Sequence, residues 1–179
     1  VEFDGETEIP NAVYFGSQLI FGKAALLQGG RDPKFLFTHL KELLGKKFDD
    51  PDVKYIQSRI DQRIVKGEND FCELEIPFTK PVICKPTDIL CSFLLYVKEK
   101  AKEQMDQDFE GILMGIPPSF NELQREAIRS TMLKAKFKYV SFFEETSAVC
   151  CSYDIHPSSE GSTTVLVADC GGGTFDASV

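Results

Sequence analysis

Gly111-Ile112-Leu113-Met114-Gly115-Ile116-Pro117-Pro118-Ser119-Phe120-Asn121-Glu122 is the stretch on which the fold turns. Its first six residues form a short apolar run of the kind that makes a buried strand. Two prolines then stop the run, and Ser119-Phe120-Asn121-Glu122 matches the Ser-x-x-Glu capping box that starts a helix, predicted to continue to about Ala135. Moving toward the C-terminus, Phe137 to Phe143 is apolar and aromatic enough for another strand. Glu144 to about Ser152 suits a helix, and Thr163 to Ala168 reads as a third strand that delivers Asp169. Strand and helix alternating in this way predict an α/β arrangement whose strand ends present a ligand site.

Moving toward the N-terminus, the clearest amphipathic helix begins near Pro86 and Asp88. Its apolar stripe runs Ile89, Leu90, Phe93, Leu94, Val97, Ala101, Met105. Residues 53–83 are expected to form strands and a hairpin, with Ile60 to Val65 and Phe71 to Phe78 alternating or β-rich on either side of a turn at Lys66-Gly67-Glu68-Asn69. Another helix is expected from Pro33 to Leu44, where apolar residues recur at Leu36, Phe37, Leu40, Leu43 and Leu44, with Gly45 as its left-handed cap and Lys46 and Lys47 complementing its dipole. Residues 1–30 hold short apolar pieces broken by Gly5, Pro10, Gly16 and Gly22, which predicts short strands and turns.

A chain of 179 residues, 42% hydrophobic and 27% charged, can bury a core and has the composition of a soluble globular protein. Its net charge of −8 argues against a nucleic-acid backbone or an anionic membrane as main partner. No run approaches the roughly 18 apolar residues of a membrane span. The six cysteines include no Cys-x-x-Cys pair and there are only two histidines, His39 and His156, so zinc is not expected. Most of the cysteines read as reduced core residues, with neighbouring Cys150 and Cys151 read as packing in preference to a redox pair, which places the chain in a reducing, cytoplasmic compartment.

Asp169-Cys170-Gly171-Gly172-Gly173-Thr174-Phe175-Asp176 carries the chemistry. An apolar strand hands a carboxylate to three glycines, whose amides approach phosphate oxygens without obstruction by a Cβ. Thr174 adds a hydroxyl, and Asp169 or Asp176 suits magnesium held through water. Read alone, the same segment is equally a glycine-rich hairpin turn. Two other phosphate motifs fail: Gly16 to Ala24 has the wrong spacing and no Ser or Thr for a P-loop, and Asp176 stands where a dinucleotide fingerprint needs glycine.

Ile116 to Ala127, taken with the glycine turn, resembles a signature of the seventy-kilodalton heat-shock chaperones. Lys41-Glu42-Leu43-Leu44-Gly45-Lys46-Lys47-Phe48 is similar to that family's Lys-Arg-Leu-Ile-Gly-Arg-Arg-Phe, Glu144-Glu145-Thr146-Ser147-Ala148 to its Asn-Glu-Pro-Thr-Ala, and the Asp169 segment to its second phosphate loop. The resemblance implies the actin-like, ribonuclease-H-like ATPase fold in part. Residues 1–110 would be the peripheral subdomain of lobe I and its edges, 111–160 the later half of the lobe I core, and 161–179 the first strands of lobe II. The chain is thus expected to be a fragment of a nucleotide-binding domain, inactive by itself because a cleft enzyme needs both phosphate loops and both lobes.

Within that resemblance Lys41 is the lysine that stabilises the transferring phosphate and positions the attacking water, although read alone it is a solvated helix lysine. Glu145 would bind a magnesium-coordinating water, and Asp169 would serve metal or water. Gly171, Gly172, Gly173 and Thr174 would hold the β- and γ-phosphates, with Asp176 the remaining loop carboxylate. Pro117 and Arg125 match positions coupling nucleotide state to the peptide-binding domain, with Glu145 linked to them. ATP or ADP with Mg2+ is the implied ligand, and unfolded polypeptides and co-chaperones are the implied partners. Glu42, Ser119, Glu144, Thr146 and Cys170 depart from the family pattern, marking a divergent member. Glu144 beside Glu145 adds negative charge near a magnesium-phosphate site. The alternative function is a non-catalytic, ribosome-associated or nucleotide-exchange partner that acts by docking.

Overall fold

The computed structural model describes residues 7–155, 164–170 and 175–179, and shows a mixed α/β chain with small sheets. Val13–Phe15 (β1) pairs antiparallel with Leu19–Phe21 (β2) on one side and with Leu36–Phe37 (β3) on the other. A second antiparallel sheet follows the order Arg63–Lys66 (β4), Cys72–Ile76 (β5), Val82–Cys84 (β6). The 20-residue helix Pro86–Met105 (α4) leads into Gly111–Ile116 (β7). β7 pairs in parallel with Tyr139–Glu144 (β8), and Glu122–Lys134 (α5) is the connection a parallel pair requires. Glu145–Ser152 (α6) continues directly from β8, and Val167–Cys170 (β9) pairs antiparallel with Phe175–Ser178 (β10).

The strand-to-helix reading around Ile116 is correct in kind, with one change at the cap. Asn121, not Ser119, is the N-cap of α5. Its side chain accepts from the Gln124 backbone N–H at 3.0 Å, and the Gln124 side chain accepts from the Asn121 backbone N–H at 3.2 Å. The box is therefore reciprocal but shifted by two residues, because the turn in which the Phe120 N–H donates to the Pro117 carbonyl uses up Ser119.

The helix expected from Pro33 to Leu44 does not form as one piece. Pro33–Phe35 makes a single 3-10 turn, Leu36 and Phe37 extend to pair with β1, and only Leu40–Leu43 (α2) is α-helical. The leucine spacing misleads because Phe37 is buried through a strand and Leu40 and Leu43 through one helical turn, with His39 at φ +51° making the corner between them. Gly45 does take the left-handed conformation, φ +66°. Two helices arise where strands and turns were expected. Gly22–Gly29 (α1) buries Gly22, Ala25 and Gly29, a face of small residues that leaves no apolar periodicity to read. Pro51–Gln57 (α3) announces itself only by Asp50-Pro51 at its start, where the Asp50 carboxylate caps the Asp52 N–H. The turn after β4 contains a 3-10 segment, Glu68–Asp70. The stripe of α4 fades toward its end, where Met105 is 52% exposed.

A continuous apolar cluster joins Val13 and Phe37, Leu40 and Leu43 of α2, Leu74 of β5, Ile89 and Phe93 of α4, Ile116 of β7, and Ile128 and Met132 of α5. All six cysteines are free. Cys72 and Cys91 are buried as expected, whereas Cys151 and Cys170 are exposed and Cys84 and Cys150 lie between. Burial pushes the Cys72 thiol up to about 11 from 9.0, and the Cys84 and Cys91 thiols move the same way for the same reason. A folded pKa above the unfolded one means that the unfolded chain sheds its proton first as pH rises. Stability held below pH 9 is then lost toward pH 11, by up to about 3 kcal/mol for Cys72 at about 1.4 kcal/mol per unit. Urea unfolding of the full-length protein at pH 8.5 and pH 11 should show a larger loss for wild type than for Cys72→Ala. Equal losses would contradict the buried thiol as the source.

Candidate functional site

Lys41, on the single turn of α2, donates to the Glu145 carboxylate at the start of α6. Each side chain is 29% exposed, so this pair, 104 residues apart in sequence, is partly screened from water. Its geometry follows from the elements behind it. Leu40 and Leu43 anchor α2 in the core and leave Lys41 on the outer side, while β8 ends against β7 and aims the first turn of α6 toward it. Gly115 of β7 makes room, because a Cβ there would lie 3.2 Å from Glu145 Cγ.

Beside this pair, Arg125 of α5 donates from Nε to the Phe120 carbonyl at 3.0 Å and places its terminal nitrogen 3.5 Å from Glu144 Oε1. Pro117 opens the turn that contains Phe120, and Ile116 stands opposite Glu144 in the β7–β8 register. Lys41, Glu145, Arg125 and Pro117 are thus connected through a few contacts, and Glu144 stands at their centre.

Asp169 and Asp176 are partners across the β9–β10 ladder. Directly opposed residues of an antiparallel pair project to one face, so the two carboxylates share a side. α6 packs against both strands. Asp176 also lines a cavity of about 270 Å3 together with His39, Glu42, Tyr55, Arg59 and Pro117, so β10, the strand-end proline and helices α2 and α3 meet at one opening. Among the described residues no ion pair joins Asp169 or Asp176 to Lys41. Gly171, Gly172, Gly173 and Thr174 lie outside the described residues.

Sequence reasoning missed two features of this region. Glu144 counted there only as extra negative charge, whereas its carboxylate pairs with Arg125; the signal was two adjacent acids at a strand-to-helix junction. His39, with Nδ1 3.4 Å from Glu42 Oε1, lines the cavity, and no spacing marked it. Lys46 is drawn down by Asp50 and Asp52, at 3.4 and 2.5 Å, rather than left on the helix end. Burial opposes its charge, but those two carboxylates outweigh burial and raise its pKa.

The α/β framework thus places a lysine–glutamate pair and two facing aspartates at the ends of strands and helices. The family model for Hsp70 protein matches residues 2–179. The chain belongs to the Hsp70 family. It is 30% identical over 178 residues to "Heat shock 70 kDa protein, mitochondrial" of Solanum tuberosum and 28% identical over 177 residues to "Heat shock 70 kDa protein" of Neurospora crassa. Each match covers 98% of this chain and 25% or 27% of the relative, so the chain spans about a quarter of the proteins it matches. No helix among the described residues is long and apolar enough to cross a membrane.

Proposed function

We propose that this chain is part of the nucleotide-binding domain of a chaperone that uses Mg-ATP binding and hydrolysis to drive binding and release of unfolded polypeptides, assisted by co-chaperones. In this reading the fold is the actin-like ATPase fold in part, with residues 1–110 peripheral, 111–160 in the lobe I core and 161–179 opening lobe II. The contact between Lys41 and Glu145 carries the reading, because it brings two distant motif segments to one point. Lys41 would move from the carboxylate to the transferring phosphate and hold the attacking water, supplying positive charge where negative charge builds. Glu145 would hold a metal-bound water, and Thr174 with Gly171, Gly172 and Gly173 would donate to the β- and γ-phosphates. Pro117 and Arg125 would pass the nucleotide state outward.

The donor set suits magnesium. Asp169 and Asp176 face each other and offer hard oxygen ligands, and no group of three or more potential ligands comes together among the described residues. Mg2+ keeps waters and shares itself with phosphate, so an open carboxylate pair is the appropriate partner. When bound, it would neutralise charge on the phosphates. Facing carboxylates repel each other without it, so Asp169→Asn should stabilise the nucleotide-free full-length protein by about 0.2–1 kcal/mol and weaken its Mg-dependent ATP binding. Destabilisation in the nucleotide-free state would argue against a shared site.

Calorimetric titration of Mg-ATP into the full-length protein tests the function, with Thr174→Ala alongside. Tight binding that the substitution weakens supports the reading. No binding overturns it.

A further inference from the structure

We propose that Glu144 is a positioning residue, which by taking Arg125 fixes the first turn of α6 so that the neighbouring Glu145 stays on Lys41. Glu144 ends β8 and Glu145 begins α6, and successive side chains at a strand end diverge. The two carboxylates accordingly go to cations on different elements, Arg125 of α5 and Lys41 of α2. Arg125 is itself held from a second side by the Phe120 carbonyl, so it offers Glu144 a fixed anchor.

The helix needs that anchor. Glu144 occupies the N-cap position of α6 but makes no side-chain bond to the helix N–H groups, so its carboxylate serves Arg125 and not the cap. Thr146 is the only described α6 residue that is buried, so apart from the packing of the helix on β9 and β10 its first turn has little apolar attachment. Its start is therefore located by the β7–β8 ladder behind it and by the two ion pairs. Glu145 alone cannot define that start, because it is the group being placed.

The catalytic consequence rests on the proposed Mg-ATP chemistry, but the positional claim does not. In the nucleotide-free full-length protein, an unfolding double-mutant cycle with Lys41→Met and Glu145→Gln should show coupling of about threefold or more in the unfolding constant. The same cycle built on Glu144→Gln, or on Arg125→Gln, should show almost none, and the two backgrounds combined should add nothing further. Arg125→Lys, which keeps the charge, should retain part of the coupling. Equal coupling in native and Glu144→Gln backgrounds, or no coupling in the native protein, overturns the proposal.

Turnover supplies the second readout. Glu144→Gln should lower kcat about tenfold while KM moves less than twofold, because a misplaced Glu145 impairs the chemical step rather than nucleotide capture. A change in KM alone would show Glu144 acting as a bare charge and also overturns the proposal. A wild-type protein without Mg-ATP turnover would sink the proposed function, and the nucleotide-free cycle would still decide the role of Glu144.

Discussion

Lys41→Ala in the full-length protein is expected to lower ATP turnover about a hundred- to a thousandfold while leaving the fold intact. Removing a single preorganised group that meets developing charge costs about that factor in other enzymes. The fold should survive because the structural anchors of α2 are Leu40 and Leu43, fully buried on its other side, and not the lysine. A partly exposed ion pair contributes at most about 1 kcal/mol, so the loss of its contact with Glu145 should shift the thermal midpoint only slightly. Steady-state turnover with Mg-ATP, read beside a thermal melt, checks both halves. Turnover within tenfold of wild type would remove Lys41 from the chemistry.

The largest effect on stability is expected at Gly45. Its backbone lies at φ +66°, a region costing an L side chain about 1–2 kcal/mol. A Cβ there would also sit 2.8 Å from the Gln124 Cα and from the Leu123 carbonyl oxygen, both backbone atoms that cannot swing aside. Overpacking of this kind adds about 1–3 kcal/mol. Gly45→Ala should therefore cost about 3 kcal/mol, and Gly45→Val more, measured by urea unfolding of the full-length protein. A cost below 1 kcal/mol would mean that α2 and α5 separate easily.

The two substitutions show what was legible in the sequence. Gly45 was readable as a left-handed cap, but its close approach to α5 was not, since nothing in the residues at 45 and 124 announces that they touch. The alternation from Gly111 onward was readable because a parallel pair buries continuous apolar runs and forces a helix between them. Leu36 to Leu44 failed for the opposite reason, since leucines three and four apart arise both from a helix and from a strand followed by one turn. At the candidate site, Lys41 and Glu145 emerged from motif resemblance, and only the folded chain could show that they meet. Glu144 carried no recognisable role because its partner lies 19 positions earlier on another helix.

α2 is a single turn of four residues, introduced by His39 in a left-handed conformation. A segment so short lies far below the length at which a helix persists on its own in water. Its order is borrowed from the hydrophobic cluster beneath it, so lesions deep in α4 or α5 would surface as a disordered lysine long before the whole molecule melts. Amide hydrogen exchange across residues 40–43 would then serve as a remote gauge of core integrity, and inherited or engineered changes far from the cleft would be read there first.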